Sequence, residues 1–260
     1  MPRRSCGAPT LALEQFAYSA SHDLQEPLRT IKIYSELLAT QYAAEGAALE
    51  CLGFLGTAAS RIESLVKDLL AYMTVTQVEK PIETVDANDA LSSALANLGA
   101  AITESSAEIT YDPLPAVRVH GVHLQQLFQN LVANSIKYRA PERRPVVHVT
   151  AKEQHGMWLF SVSDNGIGIA AKFKEQIFGL FTRLHSGELY TGTGIGLAIC
   201  QRIVERYDGR IWVESEPGIG SSYWVTFPRC GHVFLLHPRL TTPVKVRSET
   251  FSSQRIAAPT

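Results

Sequence analysis

Apolar residues recur with a helical period along the first forty positions. At 100° per residue, Leu13, Ala17, Ala20, Leu24, Leu28, Ile31, Ser35 and Leu38 fall within a sector of about 80°. His22 and its neighbour Asp23 lie away from that stripe. Ile33 and Leu37 fall nearer the His22 side, the side left for water or for a second domain. Pro27 removes the hydrogen bond that the Asp23 carbonyl would otherwise accept, so a kink just beyond His22 is expected. A second amphipathic helix is predicted over residues 50–73. It carries Leu52, Leu55, Ala59, Ile62, Val66, Leu69 and Met73 on one broad face, and the turn before it lies near Gly46. Two such helices form an antiparallel hairpin with too little core of its own, for which pairing with a second copy into a four-helix bundle is the natural solution. Taken alone, this region reads as scaffolding.

After Pro81 the pattern changes to short alternating elements. Strands are predicted over residues 82–86, 108–111, 116–119, 146–152, 158–163, 210–214 and 222–227. Helices are predicted from Asp86 and Asp89 through Ala101, over residues 121–137 and over residues 195–206. The interleaving has no regular βαβ rhythm, which implies an α/β sandwich with one mixed sheet and helices on one face. The fold class is therefore α+β: an N-terminal antiparallel helical hairpin over residues 11–78, then a sandwich domain over residues 81–228. Residues 1–10 are expected to be disordered. Residues 229–260 hold five Lys or Arg, one acid and many Ser, Thr and Pro, and read as a mostly disordered tail.

Composition narrows the partners. The 260 residues are 45% hydrophobic, and 24 basic against 25 acidic side chains leave a net charge of -1, so no global field favours nucleic acid or an anionic membrane. Cys6, Cys51, Cys200 and Cys230 are widely spaced without a Cys-x-x-Cys pair, which argues against a disulfide framework or a zinc site and fits a reducing cytoplasm. The apolar run after Arg3 and Arg4 is too short for a signal peptide, and no window approaches the roughly 20 apolar residues of a membrane span.

Three segments carry candidate chemistry. Asn130, Asn134 and Lys137 share one helix face, where carboxamides can offer oxygen to Mg²⁺ and the lysine can neutralise phosphate; an ordinary polar helix face explains them as well. Asp164-Asn165-Gly166-Ile167-Gly168 follows a strand, so its carboxylate can accept from an exocyclic amine and its glycines admit a ring, although a tight turn has the same composition. Gly192-Thr193-Gly194-Ile195-Gly196 opens a helix whose free amides suit phosphate. Its spacing fits neither the dinucleotide fingerprint nor a Walker loop. His120, His123 and His185 read as core or surface histidines rather than metal ligands.

Combination and order decide more than any one segment. The histidine helix, Asn-x-x-x-Asn-x-x-Lys-Tyr, Asp-x-Gly-x-Gly, Phe178-Gly179-Leu180-Phe181 and Gly-x-Gly-x-Gly succeed one another as in the sensor histidine kinases of two-component systems, which the chain resembles from about Leu11 to Pro228. The wording of the histidine helix is similar to that of phytochrome-like sensor kinases.

The resemblance implies a dimerisation and histidine phosphotransfer hairpin followed by an ATP-binding domain of the gyrase and MutL superfamily. It makes His22 the nucleophile for the γ-phosphoryl group of ATP, with Asp23 accepting a hydrogen bond from the other ring nitrogen. It places Asn130 on Mg²⁺, Asn134 and Lys137 at the phosphates, Tyr138 beside the nucleotide and Asp164 on adenine. Gly166 and Gly168 would shape the base pocket, and Gly192, Gly194 and Gly196 the lid and phosphate end. Residues 182–191 would form the lid, anchored by Phe178 and Phe181. Implied partners are a second copy of the hairpin and the receiver domain of a response regulator.

Two positions bear on the reaction. Hydrolases of the superfamily carry a water-activating Glu four residues before the key Asn, where this chain has Asn130, so phosphoryl transfer is expected over hydrolysis. Glu26 stands where many such kinases have Thr or Asn, which puts phosphatase activity in doubt. The alternatives are a superfamily ATPase without a phosphoacceptor, and a pseudokinase scaffold that binds ATP poorly. No sensor is recognisable before Leu11, which leaves room for one upstream in a longer protein.

Overall fold

The computed structural model describes residues 28–38, 40, 46–77, 81–184 and 192–229. His22, Asp23, the expected kink at Pro27 and the tail after Arg229 lie outside the described residues. Helix α1 occupies residues 28–38, and helix α2 runs from Gly46 to Thr74. In α1, Leu28 and Ser35 are buried, whereas Ile31 and Leu38 of the same predicted stripe stay 48% and 41% exposed. In α2, Ala59, Val66 and Met73 are buried at a spacing of two helical turns, while Leu55 and Ile62 remain exposed. Lys32 and Glu63 link the two helices at 3.7 Å, a half-exposed ion pair that contributes little. Leu65, Leu69, Ala71 and Tyr72 pack instead against the core of the domain that follows, and Val75 is fully buried there.

That domain comprises β1 (Glu83–Asp86), α3 (Ala87–Asn97), α4 (Gly99–Ser105), β2 (Glu108–Tyr111), β3 (Ala116–Val119), α5 (Gly121–Lys137), β4 (Val146–Gln154), β5 (Met157–Asp164), α6 (Gly196–Arg206), β6 (Ile211–Glu216) and β7 (Gly220–Pro228). Asp86 caps α3, its carboxylate accepting the Asn88 N–H at 2.8 Å. The single helix expected through Ala101 is two helices. The chain breaks at Leu98, whose N–H bonds back to the Ala94 and Leu95 carbonyls just before Gly99, a poor helix former.

The expected single sheet is likewise two. Five strands lie in the order β2-β4-β5-β7-β6, with β2 parallel to β4 and the other neighbours antiparallel, while β1 and β3 form a separate antiparallel pair. Pro113 and Pro115 have no N–H to give a ladder, and they separate β3 from β2. On the large sheet, Val147, Val149, Phe160, Val162, Tyr223, Val225 and Phe227 alternate onto one face. They meet Leu124, Leu127, Phe128 and Leu131 of α5 and Ile199 and Ile203 of α6, all buried; each such side chain stabilises the domain by about 1.5–3 kcal/mol. On the opposite face Trp212 stacks on Trp224, with centroids 6.3 Å apart.

A polar knot ties the far ends of α5 and α6. The Tyr207 hydroxyl, just past α6, accepts the His120 N–H at 2.9 Å and lies 2.5 Å from His120 Nδ1 and 2.7 Å from His123 Nδ1. The Arg206 side chain also hydrogen-bonds this hydroxyl, which makes the phenol the centre of the cluster. Both histidines are buried, as expected of core residues. Burial holds the His123 pKa down to about 4 from 6.5, with the charges of His120 and Arg206 adding to the effect. Its folded pKa lies below the unfolded value, so the neutral ring contributes stability that is whole above pH 6.5 and lost as pH falls toward 4. Thermal unfolding followed between about pH 7 and pH 4.5 should show that loss, and His123→Asn should remove on the order of 3 kcal/mol of the dependence.

Candidate active site

Strand β5 sits between β4 and β7 and ends at Asp164. The Asp164 carboxylate is fastened on three sides. Oδ1 accepts the Gly166 N–H at 2.9 Å and the Ser221 N–H at 3.1 Å, and Oδ2 accepts the Ser135 hydroxyl at 3.2 Å. Burial raises its pKa above the usual carboxylate value, and those three hydrogen bonds oppose the rise. A carboxylate oxygen accepts two hydrogen bonds, so Oδ2 can take one more donor from a ligand.

That donor would come from a cavity lined by Asp164, Ile167, Ile169, Ile177, Thr182, Leu184, Leu197 and Tyr223. Its apolar walls and single buried acid suit a flat ring bearing an amine. Tyr138 borders it, and its carbonyl accepts the Ile167 N–H at 3.0 Å. Gly166 lies so close to that carbonyl that a Cβ would stand 2.5 Å from the oxygen. Gly168 has φ +71°, and a Cβ there would stand 2.1 Å from the Glu216 carbonyl oxygen. The glycine at 168 is required both by its backbone conformation and by the strand packed against it.

A second, wider cavity adjoins the first. Asn130, Asn134 and Lys137 line it from α5 together with Gly192, Thr193, Gly194 and Gly196 from the turn that opens α6, so the structure brings two of the three predicted segments to one place. Asn130 Nδ2 donates to the Gly196 carbonyl at 3.2 Å, which joins the helix face to the turn directly. No side chain caps α6 at its N-terminal end, so the helix retains its unpaired N–H groups for an anion. Lys137 Nζ stands close against Gly192, where a Cβ would come within 2.5 Å of it, and lies 4.6 Å from the centre of the Tyr138 ring. The two cavities share Tyr138, Ile177, Thr182 and Leu197 in their walls, so Asp164 of the first lies beside Asn130, Asn134 and Lys137 of the second.

Of the two residues expected to anchor the lid, Phe178 packs against the core and Phe181 is 58% exposed, with φ +59°. Residues 185–191 lie outside the described residues. Ser135, Ser221, Tyr223 and Asp68 belong to the site without having been predicted. Ser135 had a signal, a hydroxyl on the otherwise apolar stripe of Phe128, Leu131 and Val132. Asp68 had none, because it comes from α2 and reaches the second cavity only through tertiary packing. The thiol of Cys200 is fully buried and pushed up to about 12 by that burial, which removes it as a nucleophile.

Residues 12–77 match the His Kinase A (phospho-acceptor) domain model, and residues 120–230 match the model of the histidine kinase-, DNA gyrase B- and HSP90-like ATPases. The chain belongs to the sensor histidine kinases. Over 218 residues the chain is 45% identical to cyanobacterial phytochrome A of Nostoc sp., covering 83% of the chain and 28% of that protein. It is 43% identical to the phytochrome-like protein Cph1 of Synechocystis sp., covering 83% and 29%. The chain thus spans less than a third of the length of these relatives. Among solved structures, full-length ShkA in complex with AMPPNP superposes with a TM-score of 0.64 at 25% identity, over 82% of this chain and 45% of that one.

The crowding at Gly168 has a measurable consequence for stability. Gly168→Ala should cost about 2–3 kcal/mol, read as a lowered thermal midpoint, because the added methyl meets backbone and not a movable side chain.

Proposed function

We propose that this chain is a kinase core that binds ATP across the two joined cavities, phosphorylates its own His22 and passes the phosphoryl group to an aspartate of a response-regulator receiver domain. The observation that carries the reading is convergence. Asn130, Asn134, Lys137 and the glycine turn meet at one cavity, the buried carboxylate of Asp164 stands in the next, and the segment matched to a phospho-acceptor domain contains His22.

In this reading adenine enters the apolar pocket and gives its exocyclic amine to Asp164 Oδ2. Gly166 and Gly168 keep the pocket open, and Tyr138 flanks it. The triphosphate then extends toward Lys137 and Asn134, and the turn of Gly192, Gly194 and Gly196 offers backbone amides to its oxygens. Asn130 suits Mg²⁺. Its amide nitrogen is committed to Gly196, which leaves a hard oxygen to present, and a Mg²⁺ held mainly by phosphates and water needs few protein ligands. When bound, the ion would neutralise charge on the phosphates. Among the described residues no group of three or more His, Cys, Asp or Glu could hold a metal by itself.

The transfer forms a bond between a neutral ring nitrogen of His22 and the γ-phosphorus and breaks the bond from that phosphorus to the bridging oxygen, so ADP leaves. Asp23 accepts a hydrogen bond from the other ring nitrogen, which sets the tautomer and favours the positive charge that develops. Apolar side chains left exposed on both hairpin helices, Ile31 and Leu38 with Leu55 and Ile62, suit a second copy and a four-helix bundle. No helix among the described residues is long and apolar enough to cross a membrane, and the core is read as working in the cytoplasm, within a longer sensor protein.

Incubation with labelled ATP and Mg²⁺ should yield an acid-labile phosphoprotein that His22→Gln abolishes; steady phosphate release without a phosphoprotein would overturn the reading. Asp164→Asn places a donor where the adenine amine needs an acceptor. It should weaken ATP binding by about 2 kcal/mol, roughly thirtyfold in Kd by calorimetry.

A further inference from the structure

The second cavity has one wall from outside the ATP-binding domain. Ser64, Lys67, Asp68 and Ala71 of α2 face the same space as Asn130, Asn134, Lys137 and the glycine turn. Asp68 Oδ2 accepts the hydroxyl of Thr193 at 2.5 Å, and Thr193 Oγ1 in turn accepts the Ile195 N–H at 3.4 Å. Thr193 carries the only hydroxyl in the stretch from Gly192 to Gly196, and it is engaged by a carboxylate of the hairpin.

A second contact lies one turn further along the same face of α2. The Arg202 guanidinium of α6 sits 4.4 Å from the centre of the Tyr72 ring, and its Nη2 donates to Thr76 Oγ1 at 3.2 Å. This contact involves no residue of the phosphate cavity, so it can hold α2 along α6 while the contact at Asp68 opens.

We infer that Asp68 is an affinity-setting residue of the nucleotide site, a latch that competes with the terminal phosphates for Thr193 and the glycine turn. The inference rests on the reading of this cavity as the seat of the triphosphate. A fixed negative charge on its wall repels a polyanion, and the hydroxyl held by Asp68 is withdrawn from the ligand. Triphosphate therefore binds only the fraction of molecules in which the latch is open, and its apparent affinity falls by that fraction. By reciprocity, a bound triphosphate releases the hairpin from the glycine turn. The adenine end lies in the other cavity, which Asp68 does not line.

The test uses the full chain, Mg²⁺ with AMPPNP, and adenosine as a probe that carries no phosphate. Asp68→Asn removes the charge at nearly constant shape, and it should tighten AMPPNP binding by about three- to tenfold in Kd while adenosine binding stays within about twofold. Asp68→Ala should do the same, and if it fails to fold the asparagine variant still decides. Unchanged AMPPNP affinity would overturn the latch, as would weaker binding, which would instead make Asp68 a group that helps to hold the nucleotide. If the wild-type chain bound neither AMPPNP nor adenosine, the reading of the cavities would fail and the latch with it. Binding of both by the wild type, without a gain in the variant, would remove the latch alone.

Discussion

The buried carboxylate of Asp164 is the joint on which the rest of the site depends. Burying an ionised acid is expensive unless hydrogen bonds replace its water, and here three donors come from three separate places: the Gly166 amide, the Ser221 amide of β7 and the Ser135 hydroxyl of α5. Each donor fixes the position of its own element relative to the end of β5. The bond from Ser135 has the widest consequence, because it pins the C-terminal half of α5 to the sheet. Asn130, five residues before Ser135, the adjacent Asn134, and Lys137, two residues after it, are thereby held on a helix fixed to the end of β5.

The opposite ends of the two site helices are held by a different device. The hydroxyl of Tyr207 gathers His120 and His123 at the start of α5 against the end of α6. Both helices are anchored there by a buried polar knot, at the ends away from the glycine turn of residues 192–196. The carboxylate of Asp68 meets the domain at Thr193, within that glycine turn.

Much of this was legible along the chain, for a physical reason that differs from element to element. The strands that form the centre of the large sheet show themselves as β-branched and aromatic runs because their side chains must fill a face at a period of two. Helix α5 shows itself through its apolar stripe, and its site residues through a spacing that only a helix converts into a shared face. The misreadings sit where local signals are balanced by distant ones. One helix became two at Leu98 and Gly99, and one sheet became two across Pro113 and Pro115.

The sequence by itself determined the kinds of element, the order of the candidate boxes and the chemistry each could offer, because periodicity and residue type are local properties. Only the tertiary structure decided which of them share a site. Ser221 and Gly220 approach Asp164 because β7 pairs with β5, a contact between residues more than fifty positions apart. Asp68 reaches Thr193 across 125 positions, which no period along the chain encodes. Such contacts depend on how whole elements pack, and packing is settled by the summed burial of many side chains. No single residue announces the result.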